Sequence, residues 1–466
     1  MRKSLPSIAL VAFVLGLVAT PQANAQVKLL AVGSLTSSSA GSFADLSGLH
    51  GTLENGAPAN LLGGLGSGLA YASGNTFLAL PDRGPNAVPF DSLVDDTVTY
   101  IPRFHTVTLD LKPNTGAGLP FTLTPKLRNT TLLFSLTPLV YGTGENLAVG
   151  SGVPPQNNFF QHYFSGRSDN FDPNNNSGNA NDGRLDSEGI RLSNDGLRVY
   201  ISDEYGPYVY EFDRLFGVRL RSFKLPAHLF VSTLSSMGAF EIANNTSGRV
   251  ANKGMEGLAI TPDGRTLVGI MQNALIQDAV AAPKLLRLVT IDIPSGKTTH
   301  EYAYLLTTGT GVSEITALNQ HEFLVDERDG KGRGDGSVAK VKHIFKIDLN
   351  GAIDVTNLDG ATAATHAVTK SALPFLDIVS VLTANGILAD QIPAKLEGIT
   401  LGPDVKQGPT TLHTLWLAND NDFLTEVPDD NKVEVPNPNQ FFVFGFTDAD
   451  LAGSRLVPQQ FRSFRW

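Results

Sequence analysis

The 466-residue sequence contains no cysteine. Disulfides, thiolate metal ligands and a cysteine nucleophile are therefore excluded. Charge is also scarce: 17% of residues are Asp, Glu, Lys or Arg, and the net charge is −10 with no basic cluster. Such a surface does not track a phosphate backbone, so no nucleic-acid partner is expected. The serine-elbow pattern Gly-x-Ser-x-Gly is missing, as are an Arg-His-Gly segment, a Walker A loop and a dinucleotide fingerprint. The α/β-hydrolase, histidine-phosphatase and nucleotide-binding chemistries lose their usual carriers with them.

What is present is apolar and turn-rich: 42% hydrophobic residues, 46 Gly and 27 Pro. That share supports a large packed core built from many short strands. At the start, Arg2 and Lys3 precede the apolar run Ile8 to Val18, and Ala23-Asn24-Ala25 follows. A basic start, a short apolar core and a small-x-small site form a secretory signal, residues 1–25, with cleavage after Ala25. The run is too short to span a bilayer comfortably, and no later stretch is long enough. The expectation is a secreted or periplasmic protein with no membrane insertion after cleavage.

A repeat runs through residues 26–466. Ser67-Gly68-Leu69, Glu188-Gly189-Ile190, Glu256-Gly257-Leu258, Glu314-Ile315-Thr316 and Glu397-Gly398-Ile399 each open an alternating apolar strand. After a turn, a second apolar strand ends in a polar cluster: Asp82-Arg83, Asp203-Glu204, Gln272-Asn273, Asp326-Glu327-Arg328 and Asn419-Asp420-Asn421. Asn194-Asp195-Gly196 and Pro262-Asp263-Gly264 supply the turn chemistry that hairpins need. Third strands follow, such as Tyr208 to Phe212 and Leu288 to Asp292. This is the body of a propeller blade, so the fold expected is an all-β, single-domain β-propeller; a β-sandwich with coincidental turns is the alternative. Five units, plus one inferred around Phe104 to Leu109, suggest six blades. Lys28 to Val32 would close the ring with C-terminal strands. The Asn/Asp-rich stretch at about residues 165–186 is expected to be a solvated polar loop inserted between blades.

Equivalent strand ends of a propeller converge on one channel mouth. The candidate metal ligands are accordingly Glu188, Asp203, Glu256, Glu314, Asp326, Glu397 and Asp420. Carboxylates crowded together repel one another unless a cation neutralises them, and an all-oxygen donor set suits Ca²⁺. Any one of these carboxylates, taken alone, is as well explained as a strand cap. Arg83 and Arg328, with Lys253, fall near the same mouth and suit a phosphate or carboxylate, or else a rim ion pair.

The segments Asp82-Arg83-Gly84-Pro85-Asn86, Asp186-Ser187-Glu188-Gly189-Ile190, Ser202 to Pro207, Gly254-Met255-Glu256-Gly257-Leu258 and Val325 to Asp329 resemble the phytase-like, "esterase-like activity of phytase" family. Their Glu-Gly openings are also similar to those of gluconolactonase-like propellers, in which such a Glu binds a divalent metal. The resemblance implies an exported propeller hydrolase, expected as a monomer acting on a small anionic phosphoester or ester substrate. In that role Glu204 or Glu327 would be the base, and Arg83 or Arg328 would hold the anion. A non-catalytic ligand- or protein-binding propeller and a lactonase are the alternatives. The pattern departs where Ile315 follows Glu314 and where Gln272-Asn273 replaces an acidic pair.

Overall fold

The computed structural model describes residues 27–35, 43–87, 94–142, 152–429 and 431–461. The signal at residues 1–25 lies outside them. Among the described residues no helix is long and apolar enough to cross a membrane.

Five antiparallel sheets, each a meander of about four strands, form the blades. Blade 1 runs from Gly68–Ser73 through Thr76–Leu80 and Arg103–Pro113 to Phe121–Leu132. Blade 2 comprises Ser187–Leu192, Arg198–Asp203, Tyr208–Asp213 and Arg219–Phe223. Blade 3 comprises Met255–Ile260, Thr266–Met271, Leu285–Asp292 and Lys297–Leu305. Blade 4 opens with Gly311–Ala317, Glu322–Arg328 and Lys342–Asp348, and two short strands flank its edge. Blade 5 joins Lys395–Gln407, Thr410–Asp420 and Asn439–Phe446 to Lys28–Leu35. That last pairing, Leu29 against Phe444 through Leu35 against Asn439, ties the two ends of the ring together. The count is five blades rather than six because Phe104 to Leu109 is the third strand of blade 1, paired with Thr76 to Ala79.

Strand alternation normally gives one apolar and one polar face, but a blade is covered on both sides. Each strand therefore feeds two clusters. In blade 2, Val199 and Ile201 pack toward Leu78 and Phe104 of blade 1, whereas Tyr200 packs toward Leu258 and Leu267 of blade 3. In blade 3, Val268 and Ile270 meet Ile315 and Val325 of blade 4. Fully burying each such side chain contributes roughly 1.5–3 kcal/mol before entropy is counted.

The channel is closed inside. Arg191 lies across it, donating to the carbonyls of Leu69, Ile190, Ile315 and Ile399 at 2.8, 2.6, 2.6 and 3.2 Å. The chain end then crosses the far side of the ring. Val457 N–H donates to Leu318 O at 2.8 Å, Gln460 N–H to Pro262 O at 2.9 Å, and Gln459 Nε2 to Leu192 O at 2.7 Å. Phe461 rests edge-on against Tyr71 with ring centroids 5.9 Å apart. The tail thereby staples four blades.

The two ends of the stretch at 165–186 are packed rather than solvated, while residues 173–176 between them are exposed as its composition suggests. Arg167, Asn170, Asp182, Arg184 and Asp186 are all buried. Its polar groups satisfy one another: Arg167 Nη2 pairs with Asp169 at 2.6 Å, and Asp182 accepts from Asp172 N–H and Asn179 Nδ2. Local hydrogen bonding replaces the apolar contacts that the sequence lacks there.

Candidate active site at the channel mouth

One irregularity recurs at the start of the inner strands. In blade 3 the register jumps between Met255 and Gly257, and in blade 5 between Leu396 and Gly398. In blade 2 it jumps between Ser187 and Ile190. A bulge inserts an unpaired residue and re-aims its side chain. Here the re-aimed residues are Glu188, Glu256 and Glu397, and all three line the mouth. The Gly that follows each one is required by the narrow ring. A Cβ at Gly189 would sit 2.8 Å from Leu258 N, and one at Gly398 would sit 2.9 Å from Leu69 N.

In blade 4 the jump falls between Val312 and Glu314, so Ser313, not Glu314, occupies the re-aimed position. Glu314 stands where blades 3 and 5 have Gly257 and Gly398. It turns into the channel, where its carboxylate is 3.1 Å from Arg191 and accepts the N–H groups of Leu258 and Ile315 at 2.8 and 3.0 Å. Burial is the dominant influence on this carboxyl and pushes it up to about 8, against the opposing pull of Arg191.

The second strands obey the same alternation. Pairing aligns Asp203, Met271, Glu327 and Asn419 with one another, and the next residues are Glu204, Gln272, Arg328 and Asp420. Those next residues, with Asp82 of blade 1, line the mouth. Their predecessors face away. Asp203 accepts the N–H groups of Asp186 and Tyr205, both at 3.0 Å, and shapes the turn from behind. Glu327 is consumed by Tyr304 Oη at 2.6 Å, Thr308 N–H at 2.6 Å and the ammonium of Lys370. Asp326 is fully buried behind the mouth, with neither oxygen hydrogen-bonded, and burial pushes it up to about 7. So the mouth gathers Glu188, Glu204, Glu256, Glu397, Asp420, Arg83 and Arg328; Asp203, Glu314, Asp326 and Glu327 lie outside it.

The mouth encloses about 280 Å³ and has two unlike walls. On one, carboxylate oxygens of Asp186, Glu188 and Glu204 all lie within 4.8 Å of one another. Glu256 joins them through a hydrogen bond to Glu204, and its Oε2 is buried with no other partner. Burial, then mutual repulsion, raises Glu188 and Glu256 well above the ordinary carboxylate range and Glu204 to about 7. Among the described residues the Glu188 carboxylate hydrogen-bonds to no protein group, although it is 92% buried as a residue with 8% exposure. On the other wall, Arg328 pairs with Glu397, and Lys395 pairs with Asp420 at 2.8 Å and with Asp422. Arg83 lies beside the carboxylate wall. It pairs with Asp186 at 3.0 Å and donates to Asn252.

Sequence reasoning did not single out Asp186 and Lys395 as mouth residues. Asp186 immediately precedes the inner strand of blade 2 and Lys395 is the first residue of the inner strand of blade 5, where alternation turns the side chain back to the mouth. The signal lay in their position two residues before Glu188 and Glu397.

The cluster fits a hard divalent cation. Two oxygens each about 2.4 Å from a common Ca²⁺ lie no more than about 4.8 Å apart. The donors are all oxygen, and uncompensated buried carboxylates need a cation.

The family model for phytase-like proteins, described as "Esterase-like activity of phytase", matches residues 60–423. A relative from Arthroderma benhamiae, named an uncharacterized secreted protein, is 28% identical over 310 residues, or 57% of this chain. The chain spans 58% of the length of that relative. Solved structures with distant likeness include a Xanthomonas campestris gluconolactonase, 11% identical with a TM-score of 0.29 over 83% of this chain and 87% of that one. Another is Kuenenia stuttgartiensis hydrazine synthase, 12% identical with a TM-score of 0.29 over 81% and 80%. Likeness at that level carries no functional argument. With most of its length inside the family match, and with the five-bladed ring and its acidic mouth, the chain belongs to the phytase-like family.

Proposed function

We propose that the protein is an exported, metal-dependent hydrolase of phosphoester or carboxylic ester substrates, acting at the channel mouth. The observation that carries this reading is the pairing of the Asp186–Glu188–Glu204 cluster with the cations of the facing wall. Asp186, Glu188 and Glu204 would hold the ion, with Ca²⁺ the best match to their hardness. A cation there supplies positive charge that polarises a phosphoryl or acyl oxygen and acidifies a water molecule.

The chain's own groups carry the rest. Arg328 and Lys395 present N–H donors to the anionic part of a substrate, and the bidentate fork of Arg328 suits a phosphate or carboxylate edge. Arg83, held between Asp186 and Asn252, sits where it meets the same group from the opposite side. Glu256, hydrogen-bonded to Glu204 and lifted well above the ordinary carboxylate range by burial, is the group placed to hold and return a proton beside the cluster. Glu397 and Asp420 fix the positions of Arg328 and Lys395. Export is supported by the basic-apolar-small start of the chain and by the secreted relative. A binding propeller without catalysis would share the geometry, and turnover separates the two. Purified protein should hydrolyse 4-nitrophenyl phosphate or 4-nitrophenyl acetate, lose that activity in EDTA and regain it with Ca²⁺. Turnover of neither substrate with Ca²⁺ present, or turnover indifferent to EDTA, would overturn the reading.

A further inference from the structure

Beside the mouth lies a second chamber of about 320 Å³, sharing Arg83 and Asn252 with it as a partition. Thr97, Ser168, Tyr205, Arg249 and the exposed Ala239 line it, together with Arg184. Six arginines are fully buried among the described residues: Arg103, Arg167, Arg184, Arg191, Arg249 and Arg287. Five have a carboxylate within ion-pair distance, namely Asp45, Asp169, Glu314, Glu241 and Asp278 respectively. Arg184 has none. It is 3% exposed, its Nη1 donates to Ser168 O at 3.1 Å, and its Nη2 has no partner. The rings of Phe171 and Tyr205 hold the guanidinium 4.9 and 5.1 Å from their centroids. On the partition, Arg83 Nε is unpartnered as well. The chamber's two carboxylates are already engaged or distant: Glu241 pairs with Arg249, and Asp95 accepts the Gly238 N–H at 3.4 Å.

A buried N–H donor left without an acceptor is costly, and a fixed guanidinium is a ready oxyanion receptor. We infer that this chamber is an oxyanion-binding site centred on Arg184. The oxyanion is either a free inorganic ion or the acidic end of a longer molecule whose other end occupies the mouth. The latter form rests on the hydrolase reading; anion binding itself does not.

The test is calorimetric titration of inorganic phosphate into EDTA-treated protein, whose metal-free mouth carboxylates repel the anion. One weak site is expected in the wild type. Arg184→Gln should weaken it at least tenfold, and Arg184→Lys should restore part of the loss. Ala239→Glu places a negative charge on the exposed rim without touching the buried network, and should weaken binding equally even if Arg184→Gln fails to fold. Undetectable phosphate binding by the wild type, or affinity unchanged in Ala239→Glu and Arg184→Gln, would overturn the assignment. A second arm, with Ca²⁺ restored, compares an alkyl bisphosphate with the alkyl monophosphate. Tighter bisphosphate binding that is lost in Ala239→Glu identifies a bridging ligand, and equal binding identifies a free anion.

Discussion

Arg191 Nη2 lies 3.1 Å from Glu314 Oε2 in the closed heart of the channel, far from the carboxylates that crowd the mouth. The pair is architectural. Arg191 bridges carbonyls from blades 1, 2, 4 and 5, and Glu314 receives an N–H from blade 3. Replacing the carboxyl, which burial keeps mostly protonated near neutral pH, leaves the donors of Arg191, Leu258 and Ile315 with a poorer acceptor, at a cost of about 1–3 kcal/mol. Glu314→Gln should therefore lower the melting temperature by several degrees and leave Ca²⁺ affinity unchanged. Calorimetric melting and Ca²⁺ titration of the same sample check both halves; weakened Ca²⁺ binding with unaltered stability would return Glu314 to the mouth.

The C-terminal tail makes a separate prediction. Val457, Gln459 and Gln460 bind three different blades, and each hydrogen bond contributes about 1 kcal/mol net. A chain ending at Ser454 should lose about 3 kcal/mol in urea unfolding, because the ring then relies on the Lys28–Leu35 pairing alone for closure. Unchanged stability would mean that the tail merely rests on the ring.

The pH dependence follows from the carboxyls lifted by burial. Glu204 and Asp203 are each raised to about 7, with burial the largest cause in both. For such groups the folded state holds the proton more tightly than the unfolded chain. Their contribution to stability is complete below the ordinary carboxylate range and is lost as pH rises through about 7. Metal-free protein should thus melt at progressively lower temperature between about pH 5 and about pH 8. Ca²⁺ bound at the cluster displaces the Glu204 proton, so the stabilisation it confers should grow over the same interval. A Ca²⁺-induced shift that does not vary with pH would contradict this.

Much of the ring was legible in the sequence because each blade repeats the same hydrogen-bonded hairpin, with Gly after the bulged Glu in blades 2, 3 and 5. The closing role of Lys28 to Val32 was legible for the same reason. The blade count came out one too high because Phe104 to Leu109, lying after a long excursion, carries no mark that it is a third strand rather than a first. At the mouth, the errors have a single origin. A strand alternates every residue, so a one-place slip sends a side chain to the opposite face. Asp203 and Glu204 are adjacent, as are Glu327 and Arg328, and only the pairing register says which of each faces the channel. Glu314 deceived for the same reason, since the bulge in blade 4 falls on Ser313. The packed ends of the stretch at 165–186 were illegible because polar composition indicates solvation unless the side chains bind one another, which no local pattern reveals.

We propose that Asp186, Glu188 and Glu204 hold a divalent cation. The direct measurement is calorimetric titration of Ca²⁺ into EDTA-treated wild type, Glu188→Gln and Glu256→Gln, with far-UV spectra to verify folding. One site is expected in the wild type, with at least about a tenfold loss of affinity in Glu188→Gln, whose amide keeps the shape and gives up the charge. Glu256→Gln should lose less, since its carboxyl acts through Glu204. Absence of Ca²⁺ binding by the wild type, or equal affinity in a folded Glu188→Gln variant, would contradict it.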